Sequence, residues 1–283
     1  EYIIDDLKNA GISEICIVIG HLGSQIKDYF GNGHDFGVKI EFIRQEKPLG
    51  TADALRCAEK FVGNDSFLLY LPDTILSDGL EPYFHKMINT TSEIHLLTSS
   101  VTQENISHVG TMEINKNKVL RINEKSHNAS SNLAWAGIAF FKTNFIFKLI
   151  NTLTLSPRGE YEITEAMNKI FENNKEIEFQ ISKKFMDLGT PKGLFEVVKF
   201  LLTTISSSSK IFQNVSLIEP VFIGKNPTIC PGCTIGPFVS IGENVQIKNN
   251  IEISNSFILN DSNIKSCNNI KNKIISPTGI IQI

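Results

Sequence analysis

No apolar run in this 283-residue chain approaches the ~20 residues that a membrane-spanning helix needs, so no membrane partner is expected. Charge of one sign is also lacking. The net charge is −3, with 27 basic and 30 acidic side chains interspersed, which excludes a basic nucleic-acid surface. The five cysteines (Cys16, Cys57, Cys230, Cys233, Cys267) are too scattered for a disulfide framework, and a reducing cytoplasm is expected. Cys230-Pro-Gly-Cys233 is a lone CxxC with no second pair to complete a zinc site and no helix start to make it a redox motif. It reads as turn residues. All six histidines precede residue 128, and their neighbours suggest neither a Ser-His-Asp nor a Cys-His arrangement. The first residue is Glu1, no signal-peptide pattern follows it, and helical spacing begins at once. The chain is therefore expected to start inside a domain.

Through residue 90, strands and helices alternate. Tyr2, Ile3, Ile4, Leu7 and Ala10 have helical spacing before a stop at Gly11. Ile15 to Ile19 reads as a buried parallel strand, 21–30 as a helix, 38–43 as a strand, 51–61 as a helix and Phe67 to Leu71 as a second buried strand. Short connections between them indicate a doubly wound sheet. Strands are expected at 94–101, 110–114, 119–123, 134–141 and 176–181, and helices at about 143–151, 161–173 and 191–204. The sheet is therefore expected to be mixed.

Beyond a polar linker at 206–214 the period becomes six. Ile223, Ile229, Ile235, Ile241, Ile247 and Ile253 follow at six-residue spacing, and Leu259 continues the series. A second buried position falls at Val239, Val245, Ile251 and Phe257. Helices and meanders do not produce a period of six, and hexapeptide repetition marks a β-helix, here a short left-handed parallel one of about three turns. The expected organisation is an α/β domain over 1–205, the linker 206–214, and the repeat domain 215–283.

The segment Arg44-Gln45-Glu46-Lys47-Pro48-Leu49-Gly50-Thr51-Ala52-Asp53-Ala54-Leu55 places a glycine loop at a helix start, and the strand after it ends on Pro72-Asp73. Ligands of open α/β sheets sit at such strand ends, where an aspartate can hold a metal. With LYLPDT, NLAWAGIAFF, RGEYEIT and FMDLGTP, in that order and ahead of a hexapeptide tail, the chain resembles the sugar-1-phosphate nucleotidylyltransferases. It is most similar to the long form of glucose-1-phosphate thymidylyltransferase. The resemblance covers nearly the whole chain and implies a Rossmann-like nucleotidyltransferase domain. It also implies an enzyme joining a nucleoside triphosphate to a sugar 1-phosphate with release of pyrophosphate.

The same resemblance implies Mg²⁺, held by Asp73 and Asp187, because hard phosphate and carboxylate oxygens suit that ion. It places Gln45 and Gly50 at the nucleobase, with Asp73 beside the nucleotide, and Gly137, Glu160, Lys125 and Lys184 on the sugar-phosphate side. Asp73, Asp187 and Lys125 are the implied catalytic residues. For each alone a plainer reading stands: a capping aspartate, a solvated loop glutamine, a turn glycine, a surface lysine. Glu160 can also belong to a helix cap, Lys183 and Lys184 to an exposed strand, and Asp53 to the first turn of a helix, whose dipole favours a carboxylate. Pro72 stands where the family has glycine and removes a backbone donor. Ser126 stands where the family has proline.

The family opens on a strand and a G-x-G-x-R loop whose backbone N–H groups cradle the triphosphate. No such run occurs in this chain; Gly31-Asn32-Gly33 follows a helix and reads as a turn. These 283 residues are accordingly expected to be a fragment with little or no turnover. Hexapeptide acyltransferases use a histidine of the repeat domain, and this repeat has none, which disfavours a bifunctional uridylyl- and acetyltransferase. The repeat is expected instead to build a homo-oligomer. A UDP-sugar or GDP-mannose pyrophosphorylase, or a non-catalytic NDP-sugar-binding relative, are the alternatives.

Overall fold

The computed structural model describes residues 1–102, 106, 109–115, 118–124, 131–204, 212–265 and 269–282. They form two compact units, Glu1–Phe185 and Met186–Ile283. No described helix is long and apolar enough to cross a membrane.

In the first unit α1 (Tyr2–Asn9) precedes the parallel pair β1 (Glu14–Ile19) and β2 (Lys39–Arg44), linked through α2 (Gly23–Phe30). Next come α3 (Thr51–Cys57), α4 (Glu59–Val62), β3 (Phe67–Tyr70), β4 (Thr74–Leu76) and α5 (Glu81–Ile88). The rest comprises β5 (Ile94–Ser100), β6 (Gly110–Asn115), β7 (Lys118–Glu124), β8 (Leu133–Phe141), α6 (Phe145–Ile150), α7 (Ile163–Glu172) and β9 (Ile177–Ile181). A mixed sheet runs in the order β7-β6-β8-β5-β9, with β3 also paired to β8. Only β5–β9 is parallel within it.

β8 is central because Leu-Ala-Trp-Ala-Gly-Ile-Ala-Phe-Phe offers apolar side chains to both faces, and all but Leu133 among its nine residues are buried. Successive side chains divide between two layers. Ile94, Leu96, Ala139 and Phe141 meet α6 and α7 on one face. Leu97, Ile138 and Phe140 meet Ile4, Leu7, Leu80 and Met87 of the α1 and α5 side on the other. Asn168 of α7 pins β7, accepting from the Ile122 N–H and donating to its carbonyl, both at 2.8 Å.

The two strands expected to be buried are only partly so. β1 and β3 are mostly half-buried, because among the described residues β1 pairs only with β2 and β3 only with β8. Each keeps one open edge. The helix expected at 51–61 is interrupted at Ala58, and that expected from residue 161 starts at Ile163. Tyr161 cannot join the latter helix, since its N–H and carbonyl are engaged elsewhere.

The second unit opens with the strand Phe185–Asp187, which straddles the boundary, and α8 (Pro191–Thr204). Thr190 Oγ1 accepts the Gly193 N–H at 3.0 Å and Pro191 takes the first helical position, a favoured start. Short strands then stack in three parallel ladders. Ser216 pairs with Thr234, Val221 with Val239 and Thr228 with Gln246, so each strand meets the one eighteen residues on, three periods of six. Ile235, Ile241, Ile247 and Ile253 point into one continuous core. Leu259 does not: it is 47% exposed. From Val239–Ser256 onward the spacing shortens to seventeen, and Ile258 takes the core position against Ile241. Asn226, Asn244 and Asp261 turn corners at φ 52°, 55° and 61°, where short polar side chains are tolerated. Asn244 donates to Asp261 at 3.0 Å, linking successive corners.

Phe257 is buried, but outside the ladder core. Its ring lies 4.6 Å from that of Phe195, and with Leu202 and Ile274 they form a separate cluster under α8. That packing joins α8 to the repeat within the second unit. Cys233 sits in the ladder core and donates to the Lys248 carbonyl at 3.0 Å, while Cys230 continues a ladder with its N–H on Ile247, as turn and ladder residues should. Cys267 and residues 205–211 of the expected linker lie outside the described residues.

Ile241 is fully buried, and Ile241→Ala should lower stability in urea melts by about 2–5 kcal/mol, the usual cost of a cavity at such a site. His95 of β5 is also fully buried, and Nδ1 lies 3.5 Å from Glu178 Oε2, its charged neighbour. Burial lowers its pKa from 6.5, Glu178 opposes the shift, and Lys86 adds to it. The unfolded chain therefore takes up a proton that the folded chain refuses, and stability should fall as the pH drops below about 6.5. His95→Leu should flatten that limb in melts between about pH 5 and pH 7.5.

Candidate functional site

Gln45 follows the C-terminal end of β2, and its N–H donates to the Ile19 carbonyl of β1 at 2.9 Å. The side chain is half-buried and turns toward α3. Its Nε2 donates to the Gly50 carbonyl at 3.2 Å and to Asp53 Oδ2 at 2.7 Å. Asp53 is buried, and its other oxygen is ion-paired with Arg56. The Arg56 guanidinium in turn lies over the Tyr161 ring, 5.6 Å from its centre. First-turn placement alone described Asp53 incompletely; the Asp53-x-x-Arg56 spacing, which puts both side chains on one helix face, was the available signal.

The loop containing Gly50 is stitched to the segment containing Glu160. Tyr161 N–H donates to Leu49 O at 2.8 Å, and Ala52 N–H donates to Tyr161 O at 3.0 Å. Gly50 has φ +99°, and a Cβ there would stand 2.7 Å from Tyr161 O and 2.9 Å from Glu160 Cβ. Glycine is required because two backbones meet, whatever ligand is present. Gln45, Gly50, Asp53 and Glu160 therefore share one wall of the first unit.

Ser156 and Arg158 shape the segment before α7. Arg158 donates to Glu162 Oε1 from Nη2 at 2.6 Å and from Nε at 3.1 Å, and Nη2 lies 3.5 Å from Glu124 Oε1 at the end of β7. Thr164 donates to Glu124 Oε2 at 3.1 Å. Arg158 and Glu124 were not singled out by the sequence, although Arg158 and Glu162 have the helical four-residue spacing of an ion pair. Glu160 itself is half-buried, its N–H 3.4 Å from Ser156 Oγ.

A second grouping surrounds the turn after β3. Leu71 N–H donates to Gly137 O at 2.9 Å, and Pro72-Asp73 form the exposed tip between Leu71 and Thr74. Gly137 has φ +73°, and a Cβ there would lie 3.0 Å from Thr74 Oγ1. Lys184 is exposed, and its carbonyl accepts the Ser77 N–H at 3.0 Å. Asp187 belongs to the second unit; it is exposed, and its Oδ1 accepts the Gly189 N–H at 2.7 Å. Lys125 lies outside the described residues.

Among the described residues no group of three or more His, Cys, Asp or Glu could hold a metal. Asp73 and Asp187 are exposed carboxylates at strand ends, a hard-oxygen donor type that fits Mg²⁺, which binds through one or two carboxylates plus substrate phosphates.

Gly50→Ala tests the stitching. The close approach and the positive φ should together cost about 1–3 kcal/mol in urea melts, whereas an unchanged midpoint would mean that the two segments are not in contact.

Comparison with known proteins agrees with the α/β fold. A family model described as nucleotidyl transferase matches residues 1–204, and one described as the GMPPB C-terminal domain matches residues 217–282. The chain is 32% identical over 230 residues to the low-salt glycan biosynthesis nucleotidyltransferase Agl11 of Haloferax volcanii, covering 77% of this chain and 64% of that protein. It is 32% identical over 236 residues to the bifunctional protein GlmU of Methanococcus maripaludis, covering 82% of this chain and 54% of that one. The chain thus spans between about half and two thirds of the length of these relatives. A crystal structure of a Bacillus anthracis protein assigned as a glucose-1-phosphate thymidylyltransferase, in complex with sucrose, matches with a TM-score of 0.63 at 30% identity over 72% of this chain and 82% of that one. With its α/β unit and residues 1–204 answering to that model, the chain belongs to the nucleotidyl transferase family.

Proposed function

We propose that this chain serves nucleotidyl transfer from a nucleoside triphosphate, dTTP first, to a sugar 1-phosphate, glucose 1-phosphate first, giving an NDP-sugar and pyrophosphate. The observation that carries the reading is the pairing of Leu49 and Ala52 with Tyr161, which holds the base-side residues Gln45 and Gly50 beside the sugar-side residue Glu160. A nucleotide sugar needs both recognised at once.

In this reading Gln45 hydrogen-bonds the base and the Gly50 loop lies along it. Glu160 accepts from paired sugar hydroxyls, and the Gly137 backbone approaches the sugar. Lys125 and Lys184 offset charge on the sugar phosphate. Its oxygen attacks the α-phosphorus in line, so that catalysis consists of positioning and charge neutralisation. Mg²⁺, when bound, would neutralise phosphate charge, and the carboxylates of Asp73 and of Asp187 are the groups proposed to hold it. The repeat reads as a left-handed parallel β-helix, which the three ladders and the period of six support, and its proposed role is to build a homo-oligomer.

No G-x-G-x-R run occurs in these 283 residues, so binding of dTDP-glucose with little turnover is the expected behaviour. Calorimetry with dTDP-glucose should show saturable binding, weakened about tenfold or more by Glu160→Ala. No binding, or unchanged binding by the variant, would contradict the reading. A pyrophosphate-release assay with dTTP, glucose 1-phosphate and Mg²⁺ tests the expected inactivity. Turnover near the ~10 s⁻¹ of ordinary enzymes would overturn the expected inactivity. Binding without turnover is the result expected of residues without that run, and a non-catalytic NDP-sugar-binding relative, which the Pro72 and Ser126 departures favour, would share it.

A further inference from the structure

Gln45 is held by two groups that can only accept. The Gly50 carbonyl has no proton to give, and Asp53 is the carboxylate of an ion pair with Arg56. The amide must therefore present its NH₂ to both; turned over, its oxygen would face a carbonyl and a carboxylate. The side-chain oxygen is left pointing away from Asp53, and among the described residues no protein donor reaches it.

The lock is rigid at its base. Asp53 is 8% exposed at its side chain, Arg56 is braced over Tyr161, and Ala52 beside Asp53 donates to the Tyr161 carbonyl. The Gln45 backbone is tied to Ile19 at the strand ends, where an α/β sheet receives its ligands.

We propose that Asp53 is a positioning residue that makes Gln45 an obligate acceptor, so that the site takes nucleotides whose base carries a ring N–H and rejects those that do not. This rests on the reading of Gln45 as the base contact. Thymine and uracil offer an N3–H and guanine an N1–H; cytosine N3 and adenine N1 carry lone pairs instead. Against those two bases Gln45 faces lone pair with lone pair, and Asp53 prevents the amide from turning over to donate.

The test is equilibrium binding of dTTP, UTP, GTP, CTP and ATP to the full chain and to Asp53→Asn, with thermal melts to verify folding. The wild-type chain should bind dTTP about tenfold or more tightly than CTP. Asp53→Asn keeps the volume but offers a donor as well as an acceptor, which frees the Gln45 amide to turn either way. The dTTP-to-CTP ratio should then fall to within about threefold. A purely structural Asp53 would weaken both nucleotides alike and leave the ratio unchanged, which overturns the proposal. Equal wild-type affinity for dTTP and CTP overturns it whatever the variant does, while sparing the nucleotidyl-transfer reading. Absence of binding by every nucleotide overturns both.

Discussion

The first unit's site depends on one backbone contact, the double hydrogen bond by which Tyr161 joins Leu49 and Ala52. Two segments more than a hundred residues apart are fixed edge to edge there. Their approach leaves no room for a side chain at Gly50, delays the start of α7 to Ile163, and brings Tyr161 under Arg56. Arg56 pairs with Asp53, and Asp53 orients Gln45. A backbone pairing thus determines which atom of a glutamine side chain remains available. Each step replaces a solvated polar group with a directed partner, and an unpaired member would be costly at this burial.

The mixed sheet provides the frame. β8 carries apolar side chains to both faces, so helices must cover both, and the end of β3 is left to the turn 71–74, as the end of β2 in the β1–β2 pair is left to the loop 45–50. The second unit is held together by a different rule. Its isoleucines stack every six residues, its corners are turned by asparagines in the left-handed region, and α8 covers an outer patch at Phe257 and Ile274.

Elements with a strong periodic burial pattern were legible in the sequence: β8 and the isoleucine positions 235 to 253 lie where their patterns place them, and α7 does so apart from its delayed start. Three features were not. Leu259 leaves the ladder because the coil shortens by one residue, and a six-residue count carries no information about the register of the next coil. Beyond Glu14, β1 and β3 are apolar or aromatic, yet mostly half-buried, because among the described residues each has a neighbour on one edge only. The lock on Gln45 was hidden because it joins side chains eight residues apart across a loop, and hydrogen-bond direction is set by geometry, not spacing. At the site, Gln45, Gly50 and Glu160 were found through family resemblance and do come together, whereas Arg56, Arg158 and Glu124 emerged only from their contacts.

In the proposed reading, Tyr161 pairing makes one wall of a base-side and a sugar-side contact. A crystal structure of the chain with dTDP-glucose is the decisive measurement. The thymine ring should lie against Gln45 and the Gly50 loop, its N3–H directed at Gln45 Oε1, with the glucose hydroxyls on Glu160. Thymine bound away from Gln45, or glucose directed away from Glu160, would contradict it.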